Sequence, residues 1–381
     1  MIRLVFLIRS LERGGAEREL AVLARSLDRL RFEATVLTFY DEGHFASEIR
    51  DHGIKVISLR KRGRWDVLGF CRRLLTQLRR IKPHVIYSFL VEPNLLAAFA
   101  KPFLPGTKII WGIRASNVDL EHYDWFARLT FKLQILCSRF ADVIICNAYA
   151  GRDYHVAQGL SPRNAIVIHN GIDTEMFRPN RKAGSSLREE WGIDANAILI
   201  GVVARLDKMK DHPNFINAAA LVAKHHDDAR FVAVGAGPPQ YREQLRSLVE
   251  QNQISDRFVW AGGRDDMPAV YNALDIACSS SAFGEGTPNA IAEAMACGVP
   301  CVVTDVGDSG FLVGDTGIVV PPNNPGALAG GLSKCIASLR AGQTANPRSR
   351  VVESFSSPTM TSRTEAVLID LARGEAAGGC D

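Results

Sequence analysis

Residues 2–8 form a run that is apolar but for Arg3 and continuous from Leu4 to Ile8, and beyond a polar, glycine-containing stretch the apolar residues recur at helical spacing as Leu20, Leu23, Ala24 and Leu27. A continuous run of this length predicts a strand buried on both faces, and the three-to-four spacing predicts a helix. The alternation continues, with strands predicted at 34–39, 55–59, 85–89, 108–111, 143–146 and 165–168 and helices between them, among them 66–80 and 125–138. A polar stretch at 178–186 interrupts it. It restarts with strands at 198–204, 230–234, 258–260, 275–278, 299–304 and 318–320. Helices are expected at 213–224, 241–251, 267–274, 289–297 and 327–339, then a polar loop at 343–349 and a final helix at 359–371. Repeated strand–helix alternation predicts doubly wound parallel sheets, and the interruption predicts two of them, with ligands at the carboxyl ends of the strands.

Length agrees: 381 residues fit two domains of roughly 170–200 residues each. Charge is uneven. Residues 1–180 hold 27 Lys/Arg against 18 Asp/Glu, and residues 181–381 hold 18 against 23. A basic first half suits a phosphate-bearing partner or an anionic membrane face, and equally a solvated basic surface. Arg60, Lys61, Arg62, Arg64 and Trp65 cluster ahead of one helix. In the helix at 125–138 the Phe, Ile and Leu positions suit a core face. No run approaches the ~18 apolar residues that span a membrane. The eight Cys have no metal-binding spacing, which predicts reduced thiols, a cytoplasmic setting and no metal centre.

Three stretches carry candidate chemistry. Gly14-Gly15 stands between the first strand and its helix, where backbone N–H groups can meet a phosphate; alone it reads as well as a turn. Arg205 and Lys210 follow the first strand of the second half, where two cations can neutralise a diphosphate; alone they are a charged loop ending in the cap Asp211. Glu285-Gly286-Thr287-Pro288 leads onto a helix bearing Glu293, with Thr287 a plausible cap and Pro288 suited to the first helical position. The helix start suits an anion, and the two carboxylates suit neutral hydroxyls, as on a ribose or a sugar.

Taken in order, Gly14-Gly15-Ala16-Glu17-Arg18, His169-Asn170-Gly171-Ile172-Asp173, Arg205 with Lys210, Glu285 with Glu293, and Gly314-Asp315-Thr316-Gly317 resemble the motifs of the retaining family 4 glycosyltransferases of bacterial surface-polysaccharide type. The resemblance implies the GT-B fold: two facing Rossmann-like domains, 1–177 for the acceptor and 178–355 for the nucleotide-sugar donor. A crossover helix at 356–373 would return to the first domain, leaving a loose tail at 374–381. It implies that Arg205 and Lys210 hold the donor diphosphate, Glu293 the ribose and Glu285 the transferred sugar. Gly286 and Thr287 belong to the same donor loop, Gly14 and Gly15 cap the β-phosphate, and Arg264 lies in the segment that meets the base. Many relatives carry a His where this chain has Arg114 and Asn117, so those two are assigned to acceptor or sugar contact instead.

The expected activity is metal-independent, retaining hexosyl transfer from a nucleotide-diphosphate sugar, with UDP the expected nucleotide, to a glycan or lipid-diphosphate-linked acceptor. The nucleotide sugar is a co-substrate and no cofactor is expected. The chain contains no Asp-x-Asp to hold a metal against the donor phosphates. A nucleotide-sugar 2-epimerase of the same fold and a non-catalytic nucleotide-sugar-binding subunit are the alternatives. No nucleic acid partner is expected. Reversible contact with the inner face of the cell membrane is.

Overall fold

The computed structural model describes residues 1–375 except 42, 64, 115–124 and 344, and for 125–127 the backbone alone. Arg64 and Asn117 therefore lie outside the described residues, as does all of the expected tail beyond 375. The chain divides into two compact units, one of Met1–Gly171 with the returning segment from Ser357, the other of Ile172–Ser356.

The first unit is built on seven described parallel strands: β1 (Ile2–Ile8), β2 (Phe32–Thr38), β3 (Lys55–Ser58), β4 (Val85–Phe89), β5 (Lys108–Ile113), β6 (Val143–Cys146) and β7 (Ala165–Val167). Their order is β3-β2-β1-β4-β5-β6-β7, so the winding reverses between β1 and β4. The connecting helices are α1 (Gly15–Ser26), α2 (Ala46–Asp51), α3 (Val67–Ile81), α4 (Val91–Ala100), α5 (Trp125–Cys137) and α6 (Tyr149–Ala157). Period-two alternation sends the side chains of β1 to opposite faces. Leu4, Phe6 and Ile8 pack in a core with α1, while Val5 and Leu7 join the core under α3 and α4. In α5 the buried positions include Phe131, Gln134 and Cys137, whereas Leu129 and Leu136 face solvent.

The second unit starts with α7 (Arg181–Glu190) and continues with β8 (Ile198–Val203), α8 (His212–Ala223), β9 (Ala229–Val234), α9 (Pro239–Gln251), β10 (Phe258–Gly262), α10 (Met267–Ala273) and β11 (Ile276–Ser279). Then follow α11 (Asn289–Ala296), β12 (Cys301–Thr304), α12 (Ser309–Val313), β13 (Ile318–Val320), α13 (Pro325–Arg340) and α14 (Pro347–Ser354). Strand order is β10-β9-β8-β11-β12-β13, reversing between β8 and β11. The last helix, α15 (Ser357–Arg373), belongs to the first unit, where Met360, Val367, Leu368 and Leu371 join the core with α1.

Some local expectations are corrected. The polar stretch 178–186 runs into a helix: Asn180 accepts a hydrogen bond from Ala183 N and caps α7, and a Cβ on Gly184 would lie 2.0 Å from Asn272 O. The units instead divide at Gly171/Ile172 and Ser356/Ser357. Residues 347–349 of the predicted polar loop open α14, because Asn346 caps it and Pro347 supplies a preset first-turn φ. Pro288 holds the cap position of α11, one residue before the helix begins, in place of the first helical position expected for it. The strand after α11 starts at Cys301, since Gly298 (φ +83°) turns the chain and Val299 N closes back on Ala294 O at 3.0 Å.

Candidate functional site

The carboxyl end of β8 opens into a tightly tied loop. Ala204 N bonds Val234 O and Leu206 N bonds Ala236 O, each at 2.9 Å. A Cβ on Gly235 (φ +153°) would lie 1.9 Å from Ala204 O, so this close approach requires glycine. Asp207 accepts from Met209 N, and Asp211, at φ +44°, accepts from Asn214 N and caps α8. These two caps fix the turn between them, which bears Lys210.

Lys210 Nζ reaches Glu285 Oε1 at 2.5 Å. The same oxygen accepts a 2.5 Å hydrogen bond from Ser281 Oγ. Ser280 Oγ donates to Lys210 O at 2.8 Å, and Ala282 N to Met209 O at 2.9 Å, so the loop after β11 is sewn to the loop after β8. From the other side Thr304 Oγ1 donates to Ser281 O, and Asp308 N donates to Gly286 O. Gly307 (φ +60°) packs where a Cβ would be 2.2 Å from Glu285 O. Both loops leave strands at the reversal point of the sheet, where such folds leave a crevice. The resulting cleft is lined by Lys210, Tyr271, Ser281, Glu285 and Pro288 among others.

Glu293 is buried on α11, and Tyr271 OH donates to its Oε2 at 2.7 Å. Tyr271 packs edge-on against Phe177 at 5.8 Å. The structure thus gathers Lys210, Glu285 and Glu293 around one set of loops, with Gly286 and buried Thr287 between the carboxylates. Arg205 is exposed on the β8 loop. Arg264 follows the edge strand β10, and its guanidinium is taken up by Asp266 (2.7 and 2.8 Å) and Glu190 (2.7 Å), over the Trp191 ring.

In the first unit Gly14, in extended backbone, is the cap of α1, and Arg18 N bonds Gly14 O at 3.0 Å. A Cβ on Gly15 would meet nothing within 4 Å, which leaves the helix start open to approach. Arg114 follows β5. It donates to Asn170 Oδ1 at 3.0 Å and to Tyr87 OH at 3.1 Å, and lies 5.1 Å over the Phe89 ring. Glu19, on the buried face of α1, accepts from Gly171 N at 3.4 Å, and burial pushes its carboxyl up to about 7 against the pull of Arg114. Burial likewise pushes the Tyr87 phenol up to about 12.

Sequence reasoning assigned no role to Glu19, Tyr87, Asn170, Tyr271 or Ser281. A signal existed for Glu19, which stands three residues after Ala16 and four before Leu23, on the apolar stripe of its helix. Tyr271 likewise falls in an apolar helical pattern, where core packing is the ordinary expectation.

Residues 13–176 match the family model described as Glycosyltransferase Family 4, and residues 197–338 match that described as Glycosyl transferases group 1. The D-inositol 3-phosphate glycosyltransferase of Corynebacterium jeikeium is 30% identical over 288 residues, 71% of this chain and 67% of that protein. The UDP-Gal:alpha-D-GlcNAc-diphosphoundecaprenol alpha-1,3-galactosyltransferase of Escherichia coli is 28% identical over 190 residues, about half (49%) of each chain. Anabaena HepE, solved in complex with UDP, superposes with a TM-score of 0.85 at 23% identity, covering 97% of this chain and 100% of that one. The fold is that of the GT-B glycosyltransferases, with two Rossmann-like parallel-sheet units.

Proposed function

The chain belongs to the glycosyltransferases of group 1 and family 4, and we propose that it moves a sugar from a UDP-sugar to a hydroxyl of a glycan or lipid-diphosphate-linked acceptor, with retention at the anomeric carbon. The observation that carries this reading is the Lys210–Glu285 pair at the reversal point of the second sheet. A half-buried cation held by a carboxylate is set to exchange partners when a stronger anion arrives. The donor diphosphate takes Lys210 and Arg205, and Glu285 is released to accept hydrogen bonds from the sugar. Glu293 accepts from the ribose. The bond from the anomeric carbon to the diphosphate oxygen then breaks. The acceptor oxygen bonds to the same face of that carbon, and its proton passes to the departing phosphate. Two cations meet the roughly two charges of the leaving group, so the step needs no metal. The UDP bound by Anabaena HepE supports the nucleotide. The name of the E. coli relative supports a lipid-diphosphate acceptor.

The same acceptor class fits a surface of the first unit. Trp65 and Leu68 are 90% and 87% exposed beside Arg60 and Arg62. Exposed apolar side chains next to cations match the chemistry of an anionic bilayer surface. We assign this corner to reversible contact with the membrane that carries the acceptor.

Incubating the protein with labelled UDP-sugars and a lipid-diphosphate saccharide, with EDTA present, tests the reading. An α-linked product from an α-linked donor is expected. Conversion of the donor without acceptor would favour the epimerase. Donor binding without product would favour a non-catalytic subunit. Transfer abolished by EDTA and restored by Mg²⁺ would sink the metal-free step.

A further inference from the structure

The first unit contains a charged cluster that the donor chemistry does not use. It is assembled from Glu19 on α1, Tyr87 in β4, Arg114 after β5 and Asn170 after β7. Asn170 and Tyr87 each hold one terminal nitrogen of Arg114, and Phe89 lies beneath it. The guanidinium plane is therefore fixed, while its Nε is buried with no hydrogen-bond partner among the described residues. Glu19 is almost fully buried, and its hydrogen bond from Gly171 N is long, at 3.4 Å. No ion pair within 4 Å joins Glu19 to Arg114 among the described residues, yet the charge of Arg114 reaches it.

We propose that Glu19 is a positioning residue whose proton occupancy sets the net charge around Arg114, so that the first unit binds a phosphate-bearing acceptor more strongly when Glu19 is neutral. The inference rests on the reading of Arg114 as an acceptor contact. With Glu19 protonated, the guanidinium presents its full positive charge to an incoming phosphate. With Glu19 ionised, part of that field is cancelled, and in a site shielded from water the cancellation is strong. The charged groups around Glu19 agree with this role. Arg18 on its own helix and Arg114 from β5 favour its ionised form, while burial opposes it more strongly and brings the transition to about pH 7. Tyr87 and Cys146, both near Arg114, are pushed up to about 12 by burial and stay neutral across this range. Ser357 and Met360 of α15, packed at Gly171, carry no charge.

Glu19→Gln keeps an acceptor for Gly171 N and removes the titration. The test is kcat/KM for a lipid-diphosphate saccharide at saturating donor, from pH 5.5 to 8.5, in wild type and E19Q. The ratio of the two cancels titration of the acceptor itself. It should fall by about tenfold between pH 6 and 8, the weight of one nearby charge, with E19Q staying at the low-pH level. A flat ratio, with Arg114→Gln impaired, would overturn the coupling alone. R114Q with wild-type acceptor kinetics at every pH would overturn the assignment of Arg114 and the proposal with it. A second readout needs no turnover: the carboxyl ¹³C resonance of Glu19 should titrate near pH 7 and move upward in R114Q. A midpoint below pH 5.5 would overturn the proposal.

Discussion

Lys210 Nζ and Glu285 Oε1 are 2.5 Å apart, with Ser281 Oγ on the same carboxylate oxygen. The cation expected for the donor diphosphate and the carboxylate expected for the sugar thus neutralise one another across two loops. Their removal should have different consequences from that of exposed Arg205. Lys210→Ala and Arg205→Ala should each lower turnover by about 10²-fold, as for other preorganised charge stabilisers. Lys210→Ala also strands buried Glu285, so it should cost roughly 1–3 kcal/mol of stability, whereas Arg205→Ala should cost almost none. Adding Glu285→Gln to Lys210→Ala should recover most of that loss. Steady-state rates and urea midpoints on the same preparations check both halves. Near-normal turnover in either single variant would remove that residue from the mechanism.

Glu293 depends on Tyr271, whose hydroxyl donates to it at 2.7 Å in a buried setting. Ribose hydroxyls must meet a carboxylate that already has one fixed partner and therefore a fixed orientation. Glu293→Gln should weaken UDP-sugar and free UDP together, because both contain the ribose. Tyr271→Phe should do the same more mildly, by about tenfold, the value of one hydrogen bond to a charged group. Glu285→Gln should weaken the UDP-sugar and spare UDP. Calorimetry with the two ligands separates the cases, and the opposite pattern would exchange the two carboxylate roles.

The parts legible in advance were those encoded locally. The apolar run Leu4–Ile8 of β1 and the alternation after it specify buried parallel strands whatever surrounds them. Lys210 and Glu285 were legible because each follows a strand, and such sheets collect ligand-binding groups at strand ends. Their pairing was not, since it depends on how loops 75 residues apart are tied together. The burial of Glu19 was signalled by its place on the apolar stripe of α1, but its meeting with Gly171 and the charge of Arg114 was not, since the sheet order brings them to it. Asn346-Pro347 illustrates local ambiguity: the pair reads as a turn or as a helix start, and Val351, buried in the second unit's core, decides for the helix.

Glu19 also makes stability depend on pH. Its carboxyl stands near 7 in the folded chain against an ordinary 4.5. Below about pH 4.5 it is protonated whether the chain is folded or not. Between 4.5 and 7 the unfolded chain ionises and the folded chain does not, so stability falls as pH rises through this window and is level above it. The loss should be on the order of 2–3 kcal/mol. Buried His212 pulls the other way, since its imidazole, brought down to about 4 by burial, destabilises the fold as pH drops below its ordinary 6.5. Comparison with Glu19→Gln cancels that contribution. Urea unfolding at pH 4.5 and 7.5 should show wild type losing stability relative to E19Q, and parallel behaviour of the two would refute the buried ionisable role.

The described residues around Trp65 are tied down by local hydrogen bonds. Asp66 accepts from Arg62 N at 2.7 Å and pairs with Arg73, Lys61 Nζ bonds Gly63 O at 2.7 Å, and Arg60 N bonds Ser58 Oγ at 3.1 Å. Trp65, Val67 and Leu68 project into solvent, and Arg72 continues the exposed flank of α3 one turn on from Leu68. No helix among the described residues is long and apolar enough to cross a membrane. Each cation near an anionic surface contributes about 1 kcal/mol, screened within a Debye length. Three or four of them with an inserted Trp and Leu should hold the protein on phosphatidylglycerol-rich vesicles at 50 mM salt and release most of it at 500 mM. Replacing Arg60, Lys61 and Arg62 by Ser should lower co-sedimentation by about tenfold or more at low salt. Trp65→Ser with Leu68→Ser should weaken binding at both salts, because burial of apolar surface is not screened. Neutral phosphatidylcholine vesicles should bind little. Co-sedimentation that is equal on neutral and anionic vesicles, or unchanged by the triple Ser replacement, would assign these residues to an ordinary solvated surface.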